Sequence, residues 1–76
     1  MDPTVDTLNK LIAVIERRRD QRRAQVGDYD LSTLEGKSYA REDGIAAAAY
    51  DVAAGDVRVF LDLAISEAKA REELAA

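Results

Sequence analysis

Cysteine and histidine are both absent from this 76-residue chain. Without cysteine there is no disulfide, no zinc–thiolate site and no thiol nucleophile. Without histidine the commonest metal ligand and the commonest general base are missing. A long apolar run is also lacking, so nothing in the sequence reads as a membrane span. The N-terminus has no apolar signal stretch and opens with Asp2-Pro3, the pattern of a cytoplasmic protein. The length allows a single domain. A domain so small buries only about 60% of its unfolded surface. With no covalent or metal staple to help, another copy of the chain or a partner protein becomes the natural source of added stability.

What is present is helical. Asp2 and Pro3 form a helix start, a side-chain acceptor followed by proline at the first helical position. Val5, Leu8, Leu11, Ile12 and Ile15 then recur at spacings of three and four, which is one helical face. Asp6 and Lys10 add a favourable i,i+4 pair. This first helix is expected over about 3–25, with Gly27 ending it in a left-handed conformation.

Beyond Ile15 the stripe changes character. Its series 5, 8, 12, 15 continues to Arg19, Arg22 and Val26, flanked by Arg18 and Arg23. Residues 10–23 hold six cations (Lys10, Arg17, Arg18, Arg19, Arg22, Arg23) and two anions (Glu16, Asp20), a net of +4 in a chain of net −4. The rest therefore carries −8.

Residues 27–37 read as a loop, rich in Gly, Asp, Ser and Thr. Leu31 and Leu34 would plug the end of the core. Ser38 is the preferred cap of a second helix over about 39–54, although the capping-box spacing of Ser32 and Glu35 supports an earlier start. The apolar side of that helix reads as Ile45, Ala48, Ala49, Val52 and Ala53. Gly55 then stops it and Asp56 caps a third helix over about 57–74, making a tight antiparallel hairpin. The expected fold is all-α, with a long N-terminal helix packed on a C-terminal helical hairpin. The first helix should overhang the hairpin at its arginine-rich end. In the third helix Arg58, Asp62, Ser66, Lys69 and Glu73 share one narrow polar stripe, and Val57, Val59, Phe60, Leu61, Leu63, Ala64, Ile65 and Ala68 surround it. That apolar arc is about twice the ~100° that one core contact needs, so this helix should be covered on more than one side.

Composition carries a resemblance. Alanine, aspartate and arginine are abundant, arginine outnumbers lysine, and Asn9 is the one asparagine, the usage of a GC-rich genome. In size and composition the chain resembles the short helical accessory proteins of bacteriophages of GC-rich hosts. The resemblance contains no diagnostic motif and assigns no functional residue.

Chemical motifs weigh little against their structural alternatives. Gly36-Lys37-Ser38 has the ending of a phosphate-binding loop, but the earlier glycine is Leu31 and no strand precedes it. Asp28, Asp30 and Ser32 open like a calcium loop, yet the sixth position is Thr33 and the twelfth is Tyr39. Glu42–Asp43 and Glu72–Glu73 are sequence neighbours and diverge on a helix. Tyr29, Tyr39 and Tyr50 either stack on a base or close the core with wet hydroxyls. No catalytic residue, metal site or cofactor is indicated. The arginines have three readings: pairing with carboxylates of the same protein or oligomer, contact with an acidic protein, or an anion site for nucleic acid or a nucleotide. The acidic net charge argues against the last. The pattern implies a non-enzymatic interaction module, either a homo-oligomer (a dimer first) or bound to a host protein. Its partner-binding residues would be Arg18, Arg19, Arg22, Arg23, Val59, Phe60 and Leu63.

Overall fold

The computed structural model describes residues 2–75 and contains two helices, α1 (Pro3–Val26) and α2 (Leu34–Ala75), joined by residues 27–33. They form an extended hairpin with an outline of 64 × 16 × 10 Å. The 42 residues of α2 span ~63 Å, the whole long dimension, and the 24 residues of α1 lie along ~36 Å of it.

Both helices meet along seams that step by three and four. On α1 the seam is Val5, Leu8, Ile12, Ile15 and Arg19, then Val26 seven residues on, with Ile12 the most buried. On α2 it is Ala40, Asp43, Ala47, Tyr50, Ala54, Val57, Leu61, Ala64 and Ala68, each buried or half-buried. This spacing is the 3.5-residue repeat that keeps one helix facing another over many turns. Every seventh position from 40 to 68 is alanine except Leu61. Small side chains let the two backbones approach closely, and the large side chains Ile12 and Leu61 are buried, worth about 1.5–3 kcal/mol each.

The three-helix expectation is overturned: residues 39–54 and 57–74 belong to one helix, and no hairpin joins them. Gly55-Asp56 looks like a stop and restart, but neither Gly55 nor any other described glycine has a positive φ. A mid-helix glycine costs roughly 1 kcal/mol relative to alanine, and the seam running unbroken through Ala54, Val57 and Leu61 against α1 offsets it.

Several finer expectations change with it. Ser38 lies inside α2; the cap is Thr33, whose hydroxyl oxygen accepts the Gly36 amide at 2.9 Å. Gly27 closes α1 in a right-handed conformation, φ −70°; its amide donates to the Ala24 carbonyl and the Asp28 amide to that of Gln25. Leu31 and Leu34 are exposed and plug nothing. The start of α1 is as expected, with the Asp2 carboxylate accepting from the amides of Thr4 at 2.8 Å and Val5 at 3.3 Å. The connection folds closely onto α2: a Cβ added at Gly36 would stand 1.8 Å from the Asp30 carbonyl oxygen, so only glycine fits there. Asp30 stabilises the turn by accepting from the Ser32 amide and hydroxyl at 2.9 and 2.6 Å.

Candidate interaction surface

The arginine-rich end of α1 does not overhang anything. Because the helices run antiparallel, it faces the first half of α2, where two seam-side aspartates meet it. Arg19 Nη1 donates to Asp51 Oδ1 at 2.8 Å, and Arg23 pairs with the other oxygen of Asp51. Arg22 Nη1 donates to Asp43 Oδ1 at 2.7 Å, and the Tyr29 hydroxyl donates to Asp43 Oδ2 at 2.5 Å. Asp43 is 3% exposed, the most buried charged residue described. Its hydrogen bonds from Tyr29 and then Arg22 hold its carboxyl below the usual carboxylate range. The same contact raises the Tyr29 hydroxyl, because ionising it would place an anion beside the carboxylate. Asp51 is lowered chiefly by the hydrogen bond from Arg19. Arg58–Glu16 at 2.8 Å and Arg71–Asp2 at 2.7 Å continue the cross-links along the rod. Three of the four arginines singled out in the sequence are thus committed to α2. Arg18, like Arg17, makes no ion pair among the described residues.

The apolar residues singled out lie elsewhere. Val59, Phe60 and Leu63 are 59%, 62% and 55% exposed, outside the seam that α2 makes with α1. Ile45 and Val52 continue that face and are exposed as well. The side of residues 39–54 that sequence patterning assigned to the core is therefore largely the outer one: Ala47, Tyr50 and Ala54 face α1, whereas Ile45, Ala48, Ala49 and Val52 face outward. The true seam contains Asp43, and a search for apolar periodicity skips it. Its phase with Ala47, Ala54 and Leu61 was the one available signal. At one edge of the outer face, Phe60, Leu63, Ala64 and Glu67 of α2 and Thr4 and Leu8 of α1 line a shallow groove of about 480 Å³.

The arginine cluster and the apolar face are thus separate features. The tyrosines join the first: Tyr29 and Tyr39 have ring centroids 5.7 Å apart, and the Tyr39 hydroxyl donates to Glu35 at 3.1 Å. Among the described residues no cluster of three or more acidic side chains converges as a metal cage would, and no helix is long and apolar enough to cross a membrane. No family model, curated protein or solved structure matches the chain.

Proposed function

We propose that the chain is a non-enzymatic protein-interaction module, a stiff two-helix rod that presents the outer face of α2 to another protein surface. The observation that supports this reading is the distribution of covered and uncovered apolar residues on one helix. The seam of α2 is covered by α1, while Ile45, Val52, Val59, Phe60 and Leu63 form a second apolar face with nothing on it. Exposed apolar surface of this extent marks interaction sites in folded proteins. Phe60 has the character of an anchor, since aromatic side chains dominate the energetics of well-packed interfaces.

The competing use of the arginines, as a nucleic-acid or nucleotide site, is weakened by their pairing. Arg19, Arg22 and Arg23 already neutralise Asp43 and Asp51, so a phosphate would have to displace a carboxylate at each. Arg17 and Arg18 alone make a small footprint for a binder that relies on releasing counterions.

A photo-crosslinking amino acid at position 60, compared with one at Asp62, tests the reading in the expressing cell. Adducts from position 60 and none from position 62 are expected. No adduct at either position overturns the proposal.

A further inference from the structure

The uncovered face of α2 has an internal symmetry that narrows what fits it. Ala54 lies at the midpoint between Ile45 and Leu63, and within one residue of the midpoint between Ala49 and Phe60 and between Ala48 and Val59. If a second α2 lies antiparallel on the outer face of the first, with the two copies of Ala54 at the same level, Leu63 meets Ile45, Phe60 comes nearest Ala49 and Val59 nearest Ala48. Phe60 and Val59 on one end then each fall against an alanine on the other, and Leu63 packs on Ile45. A two-fold interface demands this self-matching, with residue i meeting j and j meeting i. The pattern of three and four residues between outer-face positions 45, 49, 52, 56, 59 and 63 is also the one that lets a helix pair persist over several turns.

Surface area agrees. A folded monomer of 8.3 kDa is expected to expose about 4,600 Å². This chain exposes 5718 Å², an excess of roughly 1,100 Å² over that expectation. A stable interface takes about 800 Å² from each partner. The rod therefore has as much surplus surface as one standard interface removes, along a helix long enough to carry it.

We propose that the occupant of the outer face is a second copy of this chain, packed antiparallel through α2 about a two-fold axis that crosses the outer face between Val52 and Asp56, level with Ala54. The proposal rests on the interaction-module reading and names its partner. Asp56 is the charged residue on the strip, facing Val52 of the other copy. A polar residue within such a seam lowers affinity while fixing register.

Sedimentation equilibrium on the intact chain tests it. The expected mass is twice 8.3 kDa, returning to the single value in Phe60→Glu with the helical signal retained, because Phe60 is 62% exposed in the single chain. Phe60→Glu should weaken association on the order of tenfold or more. Register is read by disulfide formation, which the cysteine-free chain makes clean. Ile45→Cys chains mixed with Leu63→Cys chains should cross-link to each other and not to themselves, since two copies of position 45 would lie ~27 Å apart. A single-copy mass at every concentration overturns the proposal, as does a dimer indifferent to Phe60→Glu, or Ile45→Cys chains linking to one another. A single-copy mass combined with position-60 adducts to a different protein removes the second copy and leaves the module reading intact.

Discussion

Replacing Gly55 with alanine is the sharpest test of the long helix. Gly55 is exposed, has no positive φ, and an added Cβ would meet nothing within 4 Å. It lies at the middle of α2 (Leu34–Ala75), so it carries the full backbone entropy penalty of a mid-helix glycine. Alanine should recover about 0.5–1 kcal/mol. For a domain of this length, each kcal/mol raises the melting temperature by about 4–8 °C. Gly44 is equally unobstructed, and the two sites are about 16 Å apart along the helix, so their gains should add. Thermal melts followed by far-ultraviolet circular dichroism, at one fixed protein concentration, give the answer. A chain that turned back at Gly55-Asp56 would respond in the opposite sense, because alanine would replace the residue best able to make the turn. A lower melting temperature in Gly55→Ala would therefore refute the continuous helix.

Four further outcomes follow from the same geometry. Asp43, Asp51 and Asp2 all have carboxyls lowered in the fold, so their stabilisation is complete above the unfolded carboxylate value near ~4 and is lost as pH falls through the folded values; denaturation midpoints should drop in acid, less so in Asp43→Asn. Tyr29 and Tyr39 are raised in the fold, so their contribution persists below ~10 and is lost as pH rises through the folded values; alkaline unfolding should be blunted in Tyr29→Phe. Gly36→Ala should destabilise by about 1–3 kcal/mol in urea melts, because the obstacle at 1.8 Å is the Asp30 backbone and cannot rotate away. Ile12→Ala should cost about 2–4 kcal/mol, whereas Arg17→Ala with Arg18→Ala should change stability little and, in mobility-shift assays at low salt, should reveal no DNA or RNA binding to lose.

Much of α1 was legible from local chemistry. Asp2-Pro3 has one common use, and the series from Val5 to Ile15 has one period. The absence of strands among the described residues followed equally well from the lack of alternation. Residues 34–75 were harder, for two reasons. Gly55-Asp56 is locally identical to a cap, and only the continuity of a seam made mostly of alanine shows that it is not one. Alanine is nearly silent in a hydrophobic pattern, so the stronger signal came from Ile45 and Val52 on the wrong face. The arginine stripe was visible, but its partners were not. Asp43 and Asp51 lie 21 and 32 residues from Arg22 and Arg19, and nothing local indicates which carboxylate meets which guanidinium.

An alanine ladder has a weakness that the buried aspartate answers. Slide α1 along α2 by one heptad and Ala40, Ala47 and Ala54 present almost the same profile, so along this stretch packing discriminates poorly and only Leu61 interrupts the series. Such a shift strands Asp43 away from Arg22 and Tyr29, leaving a desolvated anion without compensation, a severe penalty. One carboxylate thereby works as a detent on an otherwise smooth rail, and the length of residues 27–33 matters less to alignment than where that single notch falls.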